Sequence, residues 1–121
     1  GLNINHAQAL GLGGAANNFD INGGTVIDNT SGGAITVTSG NRTRIYNSFT
    51  FTGTNNLSLG NAAFQLRGDY TVTCAAATVN LTIDGVIADT NNDDELIKDG
   101  PGTLTLGGAN TLEQVVLNAG Q

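Results

Sequence analysis

Apolar residues recur at every second position in short runs along the chain: Leu2/Ile4, Phe19/Ile21, Ile35/Val37, Phe49/Phe51, Leu57/Leu59, Phe64/Leu66, Tyr70/Val72, Val79/Leu81/Ile83 and Leu104/Leu106. Asn, Asp, Thr, Ser or Gln stands between them, which is the period of a strand with one buried and one wet face. Val115 to Leu117 begins a last run. Turn residues separate the runs, at Asn22-Gly23-Gly24, Asn29 to Gly33, Ser39-Gly40-Asn41, Gly53 to Asn56, Gly60-Asn61, Asp84-Gly85 and Asp99-Gly100-Pro101-Gly102. His6 to Leu10 has room for one helical turn, and no segment has room for a helix that crosses a sheet. The pattern therefore predicts an all-β chain of short strands and tight corners.

Two architectures fit such a chain, an antiparallel β-sandwich or barrel and a parallel β-helix. Runs this short, corners that rely on Asn and Gly, and an aromatic content of 5% favour the β-helix. An internal echo points the same way. Gly53-Thr54 followed by Leu57-Ser58-Leu59-Gly60-Asn61-Ala62 matches Gly102-Thr103-Leu104-Thr105-Leu106-Gly107-Gly108-Ala109, and a repeated strand-and-corner unit is the mark of a solenoid. At roughly 20 residues per turn, a period common among solenoids, about six coils are expected in one domain spanning 1–121.

Composition narrows the function. With 12% charged and 39% hydrophobic residues, the chain is too apolar and too weakly charged for disorder. A net charge of −6, with Arg42, Arg44, Arg67 and Lys98 as the only cations, makes nucleic acid and anionic membranes poor partners. Cys74 stands alone, so it forms no internal disulfide, and its parity with Tyr70 and Val72 places it on the buried face. The chain opens on Gly1 with neither a run of ~18 apolar residues nor a charged-then-apolar leader. The expectation is therefore no transmembrane helix or signal peptide, and a chain processed or cut from something longer.

Candidate chemistry is sparse. Asp89, Asn91, Asp93, Asp94 and Glu95 place oxygen ligands in one polar loop, as in a calcium loop. An EF-hand is ruled out, because Asp94 stands where its glycine belongs and Gly100 where its glutamate belongs. An irregular Ca²⁺ site at these five residues is the one metal candidate, set against a solvated loop. Glycoside chemistry needs paired carboxylates, yet Asp20, Asp69 and Asp84 are scattered singly on outward positions, so no enzyme is expected. His6 is the sole histidine and has no serine or acid beside it. Gly11 to Ala16 touches the dinucleotide fingerprint, but no helix pattern or βαβ unit follows, which leaves a glycine-rich corner. The sequons at Asn29, Asn41, Asn56 and Asn80 are expected by chance in a chain so rich in Asn and Thr.

Leu96-Ile97-Lys98-Asp99-Gly100-Pro101-Gly102-Thr103-Leu104-Thr105-Leu106-Gly107-Gly108-Ala109-Asn110-Thr111, with Val116 to Gly120 beyond it, resembles the autotransporter-associated β-strand repeat, L-x-K-x-G-x-G-T-L-x-L-x-G-x-N-T followed by V-x-x-G. Leu2 to Leu10, Asn22 to Thr25, Ile27 to Ser31 and Phe49 to Leu59 are similar to segments that accompany the repeat. The resemblance implies a right-handed parallel β-helix, at the bacterial cell surface or secreted, serving as a stalk or adhesive passenger. The chain departs from the family at Leu112 to Val115, where a glycine corner is lost, so the last coil is expected to end or bend there. Neither end reads as a polar cap. The functional expectation is thus a unit that stacks end to end, with like copies or adjacent repeats, into a fibre or stalk. The alternative is a monomeric carbohydrate-binding or Ca-dependent adhesion module. Its aromatic platform would have to be Tyr46, the one ring placed to face outward.

Overall fold

The structure is a computed structural model that describes residues 1–11 and 14–121. The described residues form fourteen short strands in three parallel sheets. The first sheet is β1 (Leu2–Asn3), β3 (Thr25–Asp28), β6 (Phe49–Phe51), β9 (Tyr70–Cys74), β12 (Glu95–Asp99) and β14 (Gln114–Leu117). The second is β4 (Ile35–Thr36), β7 (Leu57–Ser58), β10 (Asn80–Ile83) and β13 (Thr103–Leu106). The third is β2 (Asn18–Ile21), β5 (Arg42–Ile45), β8 (Phe64–Leu66) and β11 (Ile87–Asp89). From β3 to β11 each coil visits the first, second and third sheets in turn and then climbs one rung, while among the described residues the first coil has no strand in the second sheet and the last touches the third only through Thr111. This is a parallel β-solenoid and not the sandwich that was its rival. Crossovers of this kind wind right-handed almost without exception.

The number of coils is about five, fewer than the six expected. The pairs Leu2↔Ile27, Phe49↔Val72 and Leu96↔Tyr70 put 25, 23 and 26 residues in a coil, where the estimate allowed about 20. Only the last coil is shorter, with Leu96 opposite Val115, 19 residues on. The missing glycine corner at Leu112 to Val115 does not end the solenoid. Thr111 bridges to Ala88, Leu112 packs on the core and β14 pairs with β12 in register, so the coil closes with fewer residues.

Alternation becomes columns. Ile27, Phe51 and Cys74 are successive partners in the first sheet; Ile35, Leu57, Leu81 and Leu104 in the second; Ile21, Ile45 and Leu66 in the third. Most of these side chains are fully buried and together make one apolar axis, with Cys74 within it as a small hydrophobe. Six strands in the first sheet at ~4.8 Å spacing make a body about 24 Å tall.

Coils meet backbone to backbone at two glycines in particular. A Cβ on Gly85 would run into the Ala62 carbonyl, and one on Gly100, whose φ is 79°, into the Cys74 carbonyl. At the corner after β3, the fully buried Asn29 amide donates to the Gly33 and Asn56 carbonyls, at 2.8 Å each, and its oxygen accepts the Ser31 N–H. It ties one coil to the next, and the folded state offers no access to it as a sequon.

The N-terminal coil is irregular. His6 to Leu10 forms the expected single turn, closed by Ala9 N–H to the His6 carbonyl, and Leu10 packs on the core. A 3-10 turn covers Gly14–Ala16, while Leu12 and Gly13, part of the glycine-rich corner, lie outside the described residues.

Candidate functional site

The acidic loop joins β11 to β12 at the corner between the third and first sheets. Asp89 continues the inward column of Leu66, so its carboxylate reaches the rim of the core. There it accepts the N–H groups of Asn92, of Asp94 at 3.4 Å and, from the next coil, of Glu113 at 3.3 Å. Asn92 adopts φ 61°, the left-handed conformation that Asn tolerates in such a corner. Glu95 begins β12, and its N–H donates to Asp69 on the coil below at 2.8 Å.

Asp94 is 5% exposed, and its Oδ2 has no hydrogen-bond partner. Burial pushes its carboxyl above the usual carboxylate range, and Asp89, Asp93 and Asp69 add to the shift, while a hydrogen bond from Asn91 opposes it. The five candidate calcium residues are thus brought to one corner, but Asp89 binds backbone amides, Asp94 is buried and Glu95 lies in the strand. Among the described residues no group of three or more His, Cys, Asp or Glu side chains is placed to hold a metal ion.

Two acids elsewhere, Asp28 and Asp20, also have structural partners. Asp28 accepts the Asn29 N–H, the Thr54 N–H and the Thr54 hydroxyl, a staple between coils. Burial would raise its carboxyl, but these donors outweigh burial and hold it below the ordinary range. Asp20 lies opposite Arg44 in the ladder and makes a bidentate pair with it, at 2.6 and 2.5 Å, which lowers the Asp20 carboxyl. A depression lined by Gly1, Leu2, Phe19, Asp20, Thr25 and Val26 therefore holds one acid, already bound to an arginine.

Opposite signs follow for stability against pH. Asp28 has its folded value below the unfolded one, so it stabilises above the ordinary 3.8 and that contribution fades as pH falls through the lower folded value. Asp94 has its folded value above 3.8, so it favours folding in acid and opposes it as pH rises through the raised value. Asp94→Asn is expected to raise the melting temperature by a few degrees at pH 7, and the gain should vanish below the ordinary aspartate range. A calorimetric pH series checks this; a gain that persists in acid would contradict it.

The sequence pattern did not reveal the role of Lys98. Its side chain, 2% exposed, points inward opposite Val72, and Nζ donates to the Asp99, Gly100 and Ala119 carbonyls at 2.8, 2.8 and 2.9 Å. Only the resemblance marks this lysine, as the K of L-x-K-x-G. Tyr46 faces outward as expected, but it is half-buried between the guanidinium groups of Arg44 and Arg67, 5.4 and 5.3 Å from its ring centroid.

Fold and corners together define a parallel β-solenoid whose polar side chains chiefly bind its own backbone. No family model, curated protein or solved structure matches the chain. Among the described residues no helix is long and apolar enough to cross a membrane.

Proposed function

We propose that the chain is a structural unit of an extended β-solenoid, a stalk or fibre in which its rims pair with a further coil from a like copy or an adjacent repeat. The observation that carries this reading is at the C-terminal rim. Val115 and Leu117 stand opposite Leu96 and Lys98, in the inward columns, yet they are 49% and 61% exposed, with no coil of the described residues above them. At the other rim Leu2, opposite the fully buried Ile27, is 38% exposed. Apolar columns that run to the surface beside an unpaired strand edge favour addition of another strand. The resemblance to the autotransporter-associated repeat supports display at a bacterial surface or secretion. The glycan-binding alternative gains nothing from Tyr46, whose ring already packs between two arginines.

Purified chain is expected to associate into rods that lengthen with concentration, visible by negative-stain electron microscopy. Val115→Asp/Leu117→Asp should leave the fold intact by circular dichroism and abolish the rods, since each carboxylate would have to be desolvated against an apolar column. A parent chain that stays monodisperse at 12.3 kDa, without filaments, would overturn stacking between copies.

A further inference from the structure

In a solenoid, order along the sequence becomes height along the axis, so charges segregated in the sequence separate along one ridge. The corners that follow the third-sheet strands stack in line. Ile45 pairs with Leu66, which sets Tyr46 directly beneath Arg67, and Leu66 pairs with Asp89, which sets the acidic loop one rung above Arg67. The lower part of this ridge and its sheet carries every arginine in the chain, Arg42, Arg44 and Arg67, with Asp20 as the accompanying acid. The upper part carries the acidic loop, whose outward carboxylates are those of Asp93 and Glu95, since Asp89 binds backbone amides and Asp94 is buried, and among the described residues no cation lies in this loop. A chain of net charge −6 has thus set two of its three arginines, Arg44 and Arg67, against one aromatic ring, directly below its acidic loop.

We propose that this ridge is a self-complementary docking surface that pairs two copies side by side and antiparallel, the Arg42–Arg44–Arg67 patch of each against the Asp93–Glu95 loop of the other. A twofold axis perpendicular to the solenoid axis, passing between patch and loop, makes both contacts at once, the isologous arrangement of a closed dimer. The same geometry argues against a polyanion at the arginines, because the acids one rung higher would repel it, whereas a reversed copy of the ridge matches both signs. Tyr46, whose ring the Arg44 and Arg67 guanidiniums approach within the patch, supplies an amphipathic ring of the type that anchors interfaces. This pairing is lateral and does not depend on stacking at the rims.

Sedimentation velocity on the whole chain carrying Val115→Asp/Leu117→Asp, which blocks rod growth at the rims, tests it. In low salt a dimer is expected whose shape is shorter and wider than two units end to end. It should dissociate near 1 M salt, where the screening length is ~3 Å, while apolar rim stacking is not weakened by salt. Arg42→Glu/Arg67→Glu and Asp93→Arg/Glu95→Arg should each weaken the dimer by at least about tenfold, and an equimolar mixture should restore it, because both contacts in the mixed pair again join opposite charges. Arg42→Gln/Arg67→Gln replaces the first variant if circular dichroism shows it unfolded. A rim-blocked chain that is monomeric in low salt, a dimer indifferent to these substitutions, or a mixture that fails to associate would each overturn the pairing.

Discussion

Phe51→Ala should remove a large fraction of the stability of the fold. Phe51 is 1% exposed and sits between Ile27 below and Cys74 above in the first-sheet column, at mid-height of the solenoid. Truncating a buried Phe costs about 3–5 kcal/mol, transfer and cavity terms together. Set against the 5–15 kcal/mol typical of a folded domain, that leaves little in reserve. The loss is severe here because a solenoid is held together only by neighbouring rungs, and a cavity at one rung weakens the interface above and the interface below. The melting temperature is expected to fall by roughly 10–20 °C, and amide exchange should speed up in β3, β6 and β9 together. Phe51→Leu, which keeps most of the volume, should cost well under half as much. Val26→Ala, at a position 37% exposed on the outer face, is the control. If it matched Phe51→Ala, the single apolar axis would not be what holds the coils.

Where two inward positions of a strand are both apolar, the sequence alone locates the strand, as at Phe49/Phe51, Phe64/Leu66 and Leu81/Ile83. It does not announce β3, β5 or β11, and the reason is the same each time. β5 turns Thr43 and Ile45 inward, β3 has Ile27 as its one fully buried residue, and β11 turns Ile87 and then Asp89 inward. A single apolar hit gives no period to detect, and these strands exist because the rungs on either side impose their register. The coil count differs for another reason, since six coils follow from a general solenoid period of roughly 20 residues, whereas the coils measured at Leu2, Phe49 and Tyr70 take 25, 23 and 26 residues, so about five are found. The acidic loop was legible as a cluster, but its use was not. Whether a carboxylate faces water or a neighbouring coil's N–H depends on the rung above, as the Glu113 N–H at Asp89 shows. Asp28 and Asn29 read as ordinary turn residues for the same reason, although their partners lie a full coil away.

Lys98→Met should loosen the last coil and leave the middle of the solenoid in place. Among the described residues the buried ammonium has no carboxylate partner, and its three protons go to the carbonyls of Asp99, Gly100 and Ala119, so it joins the corner after β12 to the corner after β14. Methionine fills the space of the stem but donates nothing. Each buried carbonyl left without its donor costs about 1–3 kcal/mol, and removing a buried charge returns part of that, for a net loss of roughly 2–4 kcal/mol. Arginine should not rescue the variant, because its planar fork does not converge on three oxygens grouped round one nitrogen. The location of the damage separates this clamp from ordinary core packing. Ala119 lies beyond β14, so amide exchange should rise in β14 and residues 118–121 while β6 and β9 keep their protection. Rod formation should fail with it, since the proposed stacking needs β14 held in register to present Val115 and Leu117. Loss spread evenly over all the coils would instead make Lys98 one more core residue, and full stability in the variant would show that the three carbonyls find other donors.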